Sequence, residues 1–178
     1  MASTDEDLSA SVRTQLRIRD NINAVSDMVN RIEWMRKQLE DVQKMLRLDR
    51  LRADLLKSVE EIDKKMQDLE YKLISKSDRT SDDKYYVEAY KLYLNLIWLN
   101  GEVGTGAGDV AGGADFRPTE ASLGVLEMLE TELAKAQADY RNLMEKEVPA
   151  FNRLVAEKGI TPLAAGGSVD SAAPNRRP

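Results

Sequence analysis

This 178-residue sequence contains no cysteine and no histidine. That pair of absences excludes disulfides, thiolate nucleophiles, Cys/His zinc sites and His-centred catalytic triads. It says nothing about compartment, because exported proteins also lack cysteine. Aromatic residues make up only 6%, with two Phe and two Trp, so a core must rest on Leu, Ile, Val, Met and Ala. No uncharged apolar run approaches the roughly 18 residues that a membrane-spanning helix needs. The opening Met1–Asp7 has neither a basic start nor an apolar stretch, so no secretory signal is expected in this chain. A basic surplus is missing too. The formal net charge is −5, and Arg13, Arg17 and Arg19 sit among Asp5, Glu6, Asp7 and Asp20. Without an electrostatic footprint, nucleic-acid binding is not expected.

What is present is helical periodicity over long stretches. Thr4 is placed to cap a first helix, with Asp5, Glu6 and Asp7 facing the positive end of its dipole. Apolar residues then recur through Leu8, Val12, Ile18, Ile22, Val25, Val29, Ile32, Met35, Leu39, Val42 and Leu46, uninterrupted by Gly or Pro. A helix of about 40 residues is roughly 60 Å long, so it must lie along other long helices or pair with another chain. A second stripe runs through Leu55, Val59, Ile62, Met66, Leu69 and Leu73. The nine residues from Leu46 to Leu55 turn the stripe to roughly the opposite side of a continuous helix, at about 100° per residue. This predicts a turn near Arg47–Arg50 between two antiparallel helices. Because Arg47-Leu48-Asp49-Arg50 lacks Gly and Pro, a single helix that changes partners halfway is the alternative.

A polar break over Ser75–Asp83 precedes a third helix, capped by Ser81, carrying Tyr86, Tyr90, Tyr93, Leu94, Ile97 and Trp98, and stopping at Asn100-Gly101. Residues 101–118 form a Gly-rich connector, long for a compact domain. A fourth helix begins at Thr119, with the stripe Leu126, Leu129, Leu133, Ala136, Tyr140, Met144, Val148, Phe151 and Val155. The spacing continues across Pro149, which predicts a kink rather than an end. Gly159 is placed at C′, pairing Val155 with Ile160 as in a Schellman motif, and Pro162 blocks continuation. Residues 164–178, rich in Ala, Gly, Ser and Pro, read as a disordered tail. No strand pattern is found.

Four groups of residues invite a functional reading. The run Gly104-Thr105-Gly106-Ala107-Gly108 offers backbone N–H groups, but it lacks the Gly-Lys-Ser/Thr ending and the preceding strand of a phosphate loop. A plain connector is the simpler reading. Glu127, Glu130 and Glu132, and likewise Glu60 and Glu61, have the types found in bundle metal sites, yet no His accompanies them. Asp109 and Asp115 in the loop lack calcium-loop spacing. These acids read as solvated surface charge, and no metal, cofactor or glycosidase acid pair is expected. In the cluster Tyr85, Tyr86, Tyr90, Tyr93 and Trp98, the residues Tyr86, Tyr90 and Tyr93 share a face with Ile97, as a core would. Tyr85 and Trp98 fall elsewhere. With Trp34 they are the candidate interface residues, since Tyr and Trp concentrate at interfaces.

Three stretches also carry a resemblance. They are Tyr86–Gly101 followed by Arg117-Pro118-Thr119, then Val148-Pro149-Ala150-Phe151-Asn152 with Gly159-Ile160-Thr161-Pro162-Leu163, and Arg17-Ile18-Arg19-Asp20 with Asn30-Arg31-Ile32 and Arg36-Lys37-Gln38-Leu39. Together, over about residues 5–163, the chain resembles the C-terminal helical region of bacterial sortilin-like proteins. These are exported Asp-box (BNR) β-propellers often labelled glycosyl hydrolases. The resemblance implies a scaffold role beside a propeller that would hold any ligand or hydrolytic site, and it carries no catalytic residue onto this chain.

The expectation is therefore an all-α, antiparallel three- or four-helix bundle over residues 4–163, with a Gly-rich loop between the last two helices. It would act as a non-catalytic accessory module contacting a propeller or another helical chain. A self-associating coiled-coil protein and a fragment of a glycoside hydrolase are the alternatives.

Overall fold

Thr4 opens the first helix as its spacing predicts. Its hydroxyl accepts the Asp7 N–H at 3.2 Å, and the Asp7 carboxylate accepts the Thr4 N–H at 3.2 Å, closing a reciprocal capping box. In the computed structural model, which describes residues 4–48, 52–76, 89–104 and 117–166, this helix runs unbroken as α1 over Asp5–Arg47. At 1.5 Å per residue it is about 64 Å long. The chain reverses and continues as α2 over Ala53–Leu73. The single continuous helix is excluded by Arg36, which bonds both Asp63 and Glu70. In one straight helix Arg36 and Glu70 would lie about 50 Å apart.

The remaining helices are α3 over Leu92–Gly104, α4 over Glu120–Asn142 and α5 over Val148–Glu157, with a π-helical turn at Leu143–Glu147 joining the last two without a gap. Cross-links fix their directions. Arg36–Asp63 and Arg47–Glu60 set α2 antiparallel to α1. The Ser11 hydroxyl bonds the Val103 carbonyl, so α3 descends along the first part of α1. Arg17 and Asn21 both reach Glu130, and Lys65 and Lys72 reach Glu147 and Asp139, so α4 and α5 rise beside α1 and opposite to α2. The result is three rods, up, down and up: α1, then α2 and α3 end to end, then α4 through α5. All described elements are helical. The core runs along the axis through Ile18, Val25, Ile32, Met35 and Leu39 of α1, Val59, Met66 and Leu73 of α2, Leu96 of α3, and Leu126, Leu129 and Val155 of the third rod.

Several local expectations are corrected. The predicted stripe on α1 fails at its start, where Leu8 and Val12 are exposed and Ser11 and Thr14 are buried instead. Val12 to Ile18 is a six-residue step, about 240°, so the two cannot share a face. The third helix does not include Tyr90, because residues 89–91 are not helical. Tyr86 and the Ser81 cap lie outside the described residues. The helix also passes through Asn100-Gly101 for another turn, because Val103 is buried and its carbonyl takes the Ser11 hydroxyl. Its core face is Leu92, Leu96, Leu99 and Val103, which leaves Ile97 exposed rather than in the core. The loop over 105–116 also lies outside the described residues.

Pro149 has no N–H to give and crowds the carbonyl four residues back. The helix responds one turn earlier by widening, with the Val148 N–H bonding the Leu143 carbonyl. In a regular helix five residues would carry Val148 about 140° from Leu143. The wide turn keeps both buried on one face. Beyond α5 the Schellman pairing forms as expected. Gly159 has φ +72°, the Ile160 N–H bonds the Val155 carbonyl at 2.9 Å, and both apolar partners are buried. Residues 164–166, placed by the sequence in the tail, dock on α1, where Ala164 exchanges two 2.9 Å bonds with the Gln38 amide. Asn152 holds Leu163 in the same two-bond manner. Residues 167–178 lie outside the described residues.

Candidate interaction surface

The second rod is interrupted between α2 and α3, and a gap of about 540 Å³ opens there against α4. Tyr71 and Lys72 line it from α2, Lys91 and Asn95 from the α3 side, and Glu132, Lys135 and Asp139 from α4. Lys72 pairs with Asp139 at 2.9 Å. The lining carries charges of both signs, which suits a wet polar contact rather than an enclosed apolar ligand site.

Helical spacing continues the two faces that line the gap with exposed apolar residues, on α3 and on α4. On α3, Trp98 follows Lys91 and Asn95 at helical spacing. On α4, Val125 and Met128 precede Glu132 and Ala136 at the same spacing. Trp98 is 48% exposed, Val125 41% and Met128 55%. The Tyr90 ring stacks on Trp98, with centroids 6.4 Å apart and planes within 12°. That stacking covers one face of the indole and leaves the rest exposed. Ile97 adds a further exposed apolar group on α3.

Of the sequence candidates, Trp98 belongs to this groove. Trp34 is exposed but lies elsewhere, on the second half of α1. A Cβ added at Gly166 would meet its ring edge at 3.7 Å, so the chain passes beside it there. Tyr85 lies outside the described residues, as do Asp109, Asp115 and Gly106. Val125 and Met128 escaped the sequence reading, although both fall out of phase with Leu126, Leu129 and Leu133.

The carboxylates singled out in sequence are dispersed. Glu130 accepts Arg17 and the Asn21 amide. The Arg17 hydrogen bond is the main reason its carboxyl is held below the ordinary value. Asn21 adds to this, and partial burial opposes it. Glu60 and Glu61 pair outward with Arg47 and Lys57. Among the described residues no three acidic side chains gather as a metal site would require, and no helix is long and apolar enough to cross a membrane. Among the described residues the one deeply buried acid is Glu70, and it and Asp63 grip Arg36 from α2. Burial works against the Arg36 charge, but the two carboxylates outweigh it and raise the guanidinium above its ordinary value. No protein-family model, curated protein or solved structure matches this chain.

Proposed function

We propose that this chain is a non-catalytic helical accessory module that docks on a protein partner through the α3–α4 groove. The partner suggested by the sequence resemblance is a sortilin-like Asp-box propeller. The observation that supports docking is the clustering of exposed apolar groups. Of the ten large apolar side chains exposed among the described residues, four lie on α3 and the start of α4: Ile97, Trp98, Val125 and Met128. By helical spacing, exposed Trp98 on α3 and exposed Val125 and Met128 on α4 fall on the faces that line the charged gap. Protein interfaces combine an aromatic anchor with a polar rim in this way.

The test is calorimetric titration of the chain into a purified propeller of that type from the same genome. Binding is expected, and Trp98→Ala should weaken it about tenfold or more while helicity by circular dichroism stays unchanged. No binding, or binding indifferent to Trp98→Ala and Met128→Lys alike, refutes the reading. A panel of glycosides addresses the enzymatic alternative. Turnover that disappears when one carboxylate is replaced would displace the non-catalytic reading.

A further inference from the structure

The first turns of α1 expose an apolar ridge that the described bundle does not cover. Leu8, Val12 and Leu16 are 39%, 54% and 43% exposed and follow one another at i, i+4 and i+8. They point away from Ser11 and Thr14, which are buried. Asp5 and Arg19 extend the row by three residues at either end, and both are exposed. At about 100° per residue the five positions fall within a fan of roughly 80° centred on Val12. Their spacing, three, four, four and three residues, reads the same in both directions.

We propose that this ridge pairs with the same ridge of a second copy, antiparallel, about a two-fold axis through Val12. Each position then meets its mirror image. Leu8 packs on Leu16 of the second copy, Val12 on Val12, and Asp5 faces Arg19. One patch serves both copies, as an isologous contact requires. The charges select the direction, since a parallel pairing in register would set Asp5 against Asp5 and Arg19 against Arg19. The Arg19 guanidinium already lies at the surface, 2.6 Å from its neighbour Asp20, and can bridge that carboxylate and Asp5 of the second copy. A single helix pairing over four turns falls short of the about 800 Å² per partner of a stable dimer, so a dissociation constant on the order of 100 µM is expected. The pairing does not rest on the propeller reading, because it uses the outer face of α1 and not the α3–α4 groove.

The chain has no cysteine, so any introduced thiol is the sole one. Single variants Val12→Cys, Leu8→Cys, Leu16→Cys and Leu48→Cys are treated with a short bis-maleimide. Val12→Cys is expected to form covalent dimers at least tenfold faster than Leu48→Cys, although Leu48 is 90% exposed. Leu8→Cys mixed with Leu16→Cys should cross-link faster than either alone. Asp5→Arg should slow the Val12→Cys reaction several-fold, and adding Arg19→Asp should restore it. Trp98→Ala should leave these rates unchanged, which separates failure here from failure of the docking reading. Equal rates for Val12→Cys and Leu48→Cys overturn the proposal. So does Leu8→Cys alone outpacing the mixture, or Val12→Cys resisting alkylation in a monomeric protein.

Discussion

Replacing Arg36 by alanine tests the claim that the α1–α2 register is held by charge as well as by packing. The Glu70 side chain is 0% exposed and Arg36 only 12%, while Asp63 retains 24%. Breaking a buried pair by removing one partner costs about 3–5 kcal/mol, because the remaining buried charge loses that counter-ion and gains no water in its place. Asp63 still reaches solvent, so the low end applies, about 3 kcal/mol. With a urea m-value of about 2 kcal/mol/M, the midpoint should fall by roughly 1.5 M with m unchanged. A thermal scan should show a drop of roughly 6–12 °C for a chain of this size. Arg36→Lys keeps the charge but not the fork that spans two carboxylates, so an intermediate loss is expected. Arg36→Met with Glu70→Met removes the desolvated charges together and should recover at least half of the loss. A cost below about 1 kcal/mol for Arg36→Ala would refute the reasoning, since it would mean that Glu70 does not depend on Arg36.

Acidification should weaken the bundle through Glu130, whose folded-state pKa is lowered. Its contribution is present above the ordinary value of 4.5 and is lost as pH falls below it, so Glu130→Gln should flatten this limb of a plot of Tm against pH. Gly159→Ala places a side chain at φ +72° and should cost about 1 kcal/mol in urea unfolding. Asn152→Ala removes two bonds to Leu163 and should cost about 1–2 kcal/mol. With Trp98→Phe as background, Trp34 is the sole indole, and release of the C-terminal segment by Gln38→Ala should red-shift its emission.

The fold was legible where a face stays buried along its whole length. The stripes Ile18–Leu46, Leu55–Leu73 and Leu126–Val155 each predict a rod, and the phase change between the first two locates the reversal despite a junction without Gly or Pro. The helix ends with built-in chemistry were equally readable: Thr4 as a cap, Thr119 as a start, and Gly159 between Val155 and Ile160. What failed depends on tertiary partners. Asn100-Gly101 carries a stop signal, but burial of Val103 against Ser11 overrides it. Leu8 and Val12 look like core until the neighbouring helices choose Ser11 and Thr14. The groove itself was half visible. Trp98 stood out by type, whereas Val125 and Met128 matter only because α3 leaves them uncovered.

That end gives the sharpest contrast between residues buried in the bundle and residues exposed on its surface. A helix of 13 residues such as α3 is marginal alone and must be held by what it buries. Leu92, Leu96, Leu99 and Val103 do that, while Ile97 and Trp98 face outward from the same helix. If the outward pair belongs to an external surface, it contributes little to the folded monomer. Ile97→Lys should then change stability by no more than about 0.5 kcal/mol, and Trp98→Lys by no more than about 1.5 kcal/mol, the worth of its stack on Tyr90. Leu96→Ala, one residue away, should cost about 2–5 kcal/mol by opening a cavity in a fully buried position. Urea unfolding of the three variants separates the roles. Losses of comparable size for Leu96→Ala and Trp98→Lys would place Trp98 among the residues that hold α3 down, and the groove would lose its anchor for a partner.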